Sequence, residues 1–294
     1  MKNKNTVTLL LGCLITLGMQ AVLAQQNADI QVTTIQLGDN FYYLEGRGGK
    51  VGVIAGSEGV FLVDSQYANM TEKLVAAINE LTDSPIKYLV NTHLHGDHTG
   101  GNENFANMGV TLFARRQLRE GMADPVGERS PAPAAALSRI TYDDVVTFHM
   151  NGELIELIPV RAAHTSGDTL IKFTHNNALM TGDYYRSVGY PNIDLANGGS
   201  LAGMIAGLGQ TIGLCDADTR VIPSHGPVVT RVELQAHRDM LIDLKTKVQV
   251  LIDGGRTLNQ VLVADVTADY DAIVPGSEQT KERIIRQIYA ELSN

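Results

Sequence analysis

Six consecutive residues, His93-Leu94-His95-Gly96-Asp97-His98, put three imidazoles and a carboxylate into one short stretch of a 294-residue chain that has only eight histidines. Such a density suits a metal site, because imidazole and carboxylate each offer a lone pair to a divalent cation. A helix would turn His95 away from His93, and a strand would turn His98 away from the other three, so the stretch is expected to be a loop. Ile86 to Asn91 reads as the strand that delivers it, and Gly100-Gly101 lets the chain turn directly afterwards.

One loop does not complete a catalytic site, so the remaining donors must come from other strand ends. Three candidates have that placement. His164 follows the apolar run ending at Val160, Asp183 follows Ala178 to Thr181, and His225 follows Val221-Ile222. Small residues flank each of them, which allows close approach to a buried ion. Taken singly, each also reads as an ordinary turn residue. His149, His175 and His237 fit no such pattern and read as surface residues.

The order His-x-His-x-Asp-His at 93–98, then His164, Asp183 and His225, resembles the metallo-β-lactamase superfamily of binuclear metallohydrolases over roughly residues 30 to 230. The resemblance implies a four-layer αβ/βα sandwich of the α+β class. It also implies two zinc ions, one on His93, His95 and His164, the other on Asp97, His98 and His225, with Asp183 bridging. Asp64, at the end of its strand, matches a position that orients a metal-site histidine from behind. The donor types agree with zinc, although family members also use iron or manganese. The reaction implied is hydrolysis by a water shared between the ions, with Asp97 as the catalytic residue that orients it and handles its proton.

For the substrate, the departures from subgroups matter. One β-lactamase subclass has a cysteine where Asp183 stands and, three residues on, a lysine that grips the drug's carboxylate. Here Arg186 occupies that offset, and a guanidinium is a good bidentate partner for a carboxylate. The aspartate itself is more similar to hydroxyacylglutathione hydrolases and lactonases.

Around these motifs the elements alternate. Ile30 to Ile35, Phe41 to Glu45, Val51 to Ala55 and Val60 to Val63 read as a meander of strands, and Asn69 to Leu81 has helical spacing. A short helix near Asn102 to Asn107, a strand over Val110 to Ala114 and a helix over Arg115 to Gly121 follow. Asp144 to Phe148, Leu154 to Val160, Thr169 to Thr174, Ala178 to Thr181 and Thr219 to Pro223 complete the strands. Helices are expected over Ser200 to Cys215, Arg231 to Ile252, Leu258 to Val263 and Glu278 to Leu292, the first packing closely on a sheet through Gly203, Gly207 and Gly213. The turn Gly46 to Lys50 reads either as a flap over the site or as a hairpin tip, and Met122 to Ala136 as a long loop.

Composition bounds the rest. Lys2 and Lys4 ahead of an apolar run to Leu23, closing on Ala24, read as a secretory signal over 1–24, leaving 25–294 as one domain in the periplasm or secreted. A retained membrane span and a lipid-attachment box at Cys13 are the weaker readings; no stable membrane anchor is expected after cleavage. Losing Lys2 and Lys4 from 23 basic residues against 32 acidic ones moves the net charge from −9 to −11, which speaks against nucleic acid and for a small-molecule substrate. Cys215 would then be the only cysteine, a buried thiol that forms no intramolecular disulfide. Export and Arg186 together favour a β-lactam or similar cyclic amide. A lactonase or another ester or thioester hydrolase is the alternative within the fold, and a zinc carrier without catalysis is the alternative outside enzymology.

Overall fold

The structure, a computed structural model, describes residues 30–293, so the signal expected over 1–24 lies outside the described residues. Strands β1 (Thr33–Gln36), β2 (Phe41–Glu45), β3 (Val51–Gly56) and β4 (Gly59–Val63) form an antiparallel meander. Helix α1 (Thr71–Asn79) then crosses to β5 (Ile86–Val90), and β6 (Thr111–Arg115) and β7 (Ile140–Tyr142) extend the seven-stranded sheet in parallel. Between β5 and β6 lie α2 (Gly96–Thr99) and α3 (Asn102–Asn107), and α4 (Arg116–Ala123) follows β6.

The second sheet runs in the order β12-β11-β10-β9-β8, from β8 (Val146–Met150), β9 (Glu153–Pro159), β10 (Thr169–Phe173), β11 (Ala178–Gly182) and β12 (Arg220–Pro223). Only its β11/β12 pair is parallel, and α5 (Leu201–Leu214) is the crossover between those strands. Helices α6 (Arg231–Asp253), α7 (Leu258–Val263), α8 (Ala268–Asp271) and α9 (Lys281–Leu292) close the chain.

Strand alternation decides the layers. Ile54 and Phe61 face the other sheet and pack with Ile155, Ile171 and Phe173, and the Phe41 and Phe173 rings lie 4.4 Å apart. Their neighbours Val53 and Leu62 face outward onto Leu74 and Ile78 of α1. On the far side, Leu170, Leu179 and Val221 pack under Met204 of α5, Leu244 of α6 and Ile288 of α9. Two sheets with helices on both outer faces make the expected αβ/βα sandwich.

Helix α5 needs its glycines unequally. A Cβ at Gly203 would strike the carbonyl of Ala162, and one at Gly207 would strike Val160, whereas Gly213 faces open space. The close packing expected of all three therefore holds for two. The Ile30 to Ile35 strand is shifted to Thr33–Gln36, and the expected helix from Glu278 starts at Lys281 after a 3₁₀ turn. No described helix is long and apolar enough to cross a membrane.

Candidate metal centre

Every proposed donor sits just past the carboxyl end of a strand, where parallel connections leave room for a site. His93 follows β5, His164 follows β9, Asp183 is the residue after β11, and His225 lies two residues past β12. The 93–98 stretch is not a loop throughout. Residues 91–95 are irregular, but Gly96–Thr99 form one helical turn in which Thr99 N donates to His95 O. That turn swings His98 inward, the side a strand would have denied it.

The donors converge in three overlapping groups. His93, His95 and His164 bring ligand atoms within 4.8 Å of one another, as do His93, His98 and Asp183, and Asp97, His98 and His225. Asp183 lies between the groups: Oδ1 is 3.4 Å from His98 Nε2, and Oδ2 is 3.4 Å from His225 Nε2. Asp97 Oδ2 is 3.2 Å from His225 Nε2, and His164 Nε2 is 3.0 Å from His95 Nδ1.

The ring nitrogens that face away from the centre are held from behind. His98 Nδ1 donates to Asp64 Oδ2 at 2.8 Å, His95 Nε2 to Asp194 Oδ2 at 2.7 Å, and His164 Nδ1 to Asn192 O at 2.7 Å. His93 Nδ1 reaches Thr92 Oγ1 at 3.1 Å, whose own hydroxyl donates to Asp64. In the neutral imidazole each such bond leaves the opposite nitrogen without a proton and aimed inward, the tautomer a cation needs. His93 Nε2, His98 Nε2 and Asp183 Oδ1 are buried there with no hydrogen-bond partner. Orphaned polar atoms of this kind are costly unless something binds them, so the residues fit a divalent cation. No cysteine joins the groups, and nitrogen with oxygen donors suits zinc.

The charges agree. Burial, reinforced by His98 and His164, pushes His93 well below the usual imidazole range, and burial takes His164 down to about 4. Burial would also push His98 down, but Asp64 and Asp183 outweigh it and hold His98 well above that range. His225 rises to about 9 because hydrogen bonds to Asp183 and Asp97 overcome its burial. The same contacts hold both aspartates well below the carboxylate range despite burial. The anionic carboxylates draw positive charge inward, and metal binding would displace the protons that supply it.

Asp194 and Gln66, neighbours of the centre, were not singled out in the sequence. Asp194 is linked through Asn197 to Arg129, whose Nη2 lies 3.2 Å from Asn197 Oδ1, so the loop Met122 to Ala136 braces the back of His95. No spacing marks Asp194; its nearest signal is an Asp ahead of Gly198-Gly199, which indicates only a turn. Gln66 accepts from Gly48 N and donates to Gly49 O, while Lys50 N donates to Ser224 O and its ammonium to Gly226 O. Side chains at Gly48 or Gly49 would strike Asp97 and the His98 ring. The turn 46–50 is thus a seated wall of the centre rather than a free hairpin tip.

Other expectations change. Arg186, expected to contact substrate, donates its Nε to Val188 O at 2.8 Å and lines a neighbouring cavity. His237 is half-buried rather than exposed, with its Nε2 closed off from solvent and without a hydrogen-bond partner. His149 and His175 are exposed as expected. Cys215 is half-buried, its thiol donating to Thr211 O, and is no ligand.

Residues 44–250 match the family model of the metallo-beta-lactamase superfamily, and the chain belongs to that superfamily. Its members are mostly metal-dependent hydrolases. A curated relative, the Beta-lactamase-like protein 2 homolog of Caenorhabditis elegans, is 29% identical over 174 residues, 58% of this chain and 53% of that protein. The chain spans about half the length of the curated relatives it matches. Among solved structures, a metallo-beta-lactamase from Pontibacter korlensis superposes with a TM-score of 0.63 at 18% identity, over 72% of this chain and 100% of that one. The sec-alkylsulfatase Pisa1 from Pseudomonas sp. superposes with a TM-score of 0.67 at 17% identity, over 88% of this chain and 50% of that one. Both likenesses are of fold.

Proposed function

We propose that the protein is an exported hydrolase that works with two zinc ions and opens a cyclic amide, a β-lactam. The observation that carries the hydrolytic part is the uneven exposure of the donors. His93, His98 and His164 are closed off, while the side chains of His95, Asp97 and His225 keep 22%, 21% and 25% of their surface. A structural zinc site is closed, whereas a catalytic one keeps an open position for substrate. The same openness on a bridged donor set argues against a carrier.

Two ions bound there would polarise an acyl oxygen and acidify a water. The chain's own part is positional. Asp97, ionised and held by His225 and His98, is placed to orient the attacking water and to take its proton. The back bonds from Asp64, Asp194 and Asn192 keep the imidazoles from swinging as the reaction proceeds.

The β-lactam reading rests on the export expectation and on the cation at 186. A second reading, an ester or lactone, is favoured by Asp183 standing between the donor groups. Purified, zinc-loaded protein tested on a chromogenic cephalosporin and a lactone, with and without chelator, separates the two. Chelator-sensitive cephalosporin opening supports the first reading and lactone opening alone the second. Bound zinc with no turnover on either substrate would overturn both.

A further inference from the structure

The last helix of the chain reaches the metal centre through one segment. Helix α9 lies beyond residues 44–250, which carry the superfamily pattern, and its buried face, Ile284, Ile285 and Ile288, is fixed in the core with Met204 and Leu244. Arg283, Gln287 and Glu291 recur at every fourth residue, so they stand one above the other on a single face. All three bond the same segment, residues 190–202. Arg283 Nη2 donates to Tyr190 O at 3.1 Å, and the Glu291 carboxylate accepts from Leu201 N and Ala202 N, two of the free donors that open α5. Gln287 takes the middle as a two-point clamp: its Nε2 donates to Asn192 Oδ1 at 2.7 Å, and its Oε1 accepts from Ile193 N at 3.0 Å.

That middle is where two ligand histidines are held. Asn192 O accepts from His164 Nδ1 at 2.7 Å and Asp194 Oδ2 from His95 Nε2 at 2.7 Å, so the two acceptors flank Ile193. The inner side of the segment is pinned to the loop of His164: Asp194 N donates to His164 O, Ser166 N to Asn197 O, and Ser200 N to Ala163 O. The approach is so close that a Cβ on Gly199 would meet His164 O at 2.2 Å. The segment is thus gripped between the histidine loop and α9, and its acceptors take their fixed position from both. The second donor set is held from elsewhere, His98 Nδ1 donating to Asp64 just past β4. A fault in the clamp should therefore fall on one donor set and spare the other.

We propose that Gln287 is a positioning residue of the metal centre. Through Asn192 and Ile193 it fixes the acceptors behind His164 and His95, so the last helix sets the grip of His93, His95 and His164 on an ion without touching it. The inference rests on the reading of the donors as a two-ion site, while the ring hydrogen bonds themselves do not.

The test has two readouts on the full chain. Zinc is withdrawn from the loaded protein by a chromophoric chelator, and the exchange of the ring N–H protons of His95, His164 and His98 is followed by NMR in histidine-labelled protein, with and without zinc. Q287M, which keeps the length and helix preference of glutamine but loses its amide, should weaken one of the two zinc ions by about tenfold and leave the other as in the wild type. The ring protons of His95 and His164 should exchange faster, and that of His98 should not. Q287E should restore both readouts, since a carboxylate still accepts from Ile193 N and, once the Asn192 amide turns over, from Asn192 Nδ2. E291A, which frees the same helix from the start of α5, should lower the melting temperature without shifting either zinc ion. Ring protons or zinc affinities unchanged in Q287M, or zinc weakened alike by Q287M and E291A, would overturn the proposal. A wild type that binds no zinc counts against the two-ion reading alone, because the ring protons decide the clamp without it.

Discussion

The two flanks of the centre are built on opposite principles. On the motif side, the outer atoms of the ligands are held and only the inward ones are left open for an ion: Asp64, Thr92, Asn192 and Asp194 hold the histidines from behind, and the turn 46–50 is pinned by Gln66 and Lys50, while His93 Nε2, His98 Nε2 and Asp183 Oδ1 have no hydrogen-bond partner. On the cavity side, Arg186, with only its Nε bonded, stands among mainly apolar walls. A site that must hold ions at fixed geometry gains from over-determination. A site that must accept a separate molecule leaves its polar groups to be completed by that molecule. Damage to the first flank should appear in metal content and turnover, and damage to the second in KM and in discrimination between substrates.

The largest effect should come from Asp97. D97N should lower kcat by about a hundredfold or more while changing KM little; a variant with unchanged kcat would remove Asp97 from the proton's path. Next is Asp194, which bonds the back of His95 without itself joining the donor groups. D194A frees the back of His95 and should weaken zinc binding by about ten- to a hundredfold, measured by competition with a chromophoric chelator. On the cavity side, R186M should leave zinc content intact and raise KM for an anionic substrate by about tenfold more than for its neutral analogue. Loss of zinc in R186M would show that the flanks are not separate.

The smallest expected effect concerns pH. Burial, and then the Arg186 charge, bring His237 down to about 4 from an ordinary 6.5. The unfolded chain therefore takes up a proton at this residue before the folded one does. This contribution to stability is complete above about pH 6.5 and declines as the pH falls toward 4. H237F should flatten that slope in urea titrations of the protein between pH 7 and 4, relative to the wild type. An identical slope in both would place His237 in solvent.

The same division explains what could be read from the sequence. His93, His95, Asp97 and His98 are adjacent in the chain, and His164, Asp183 and His225 each follow an apolar run, so strand patterning alone brought them to one edge of the sandwich. Asp194 escaped because its link to His95 spans 99 residues and leaves no local spacing. The partial burial of His237 was missed for a related reason: it lies on a helix with an ordinary amphipathic pattern, and a neighbour that covers it, Tyr185, whose ring stands 4.9 Å away, is distant in the chain. The 93–98 stretch was read correctly in composition but not in shape, because a single helical turn is too short to show periodicity. Arg186 was found by its offset from Asp183, yet the cavity it lines depends on Tyr270 to Pro275, far along the chain.

The central claim is that two donor sets, His93 with His95 and His164 and Asp97 with His98 and His225, joined by Asp183, hold two ions. Zinc per chain, measured by elemental analysis after equilibration and desalting, tests it most directly when wild type is compared with H164A and H225A. The account predicts two zinc ions in the wild type and loss of one, from a different set, in each variant. A wild type that retains one or none, or variants that retain the full complement, would contradict it.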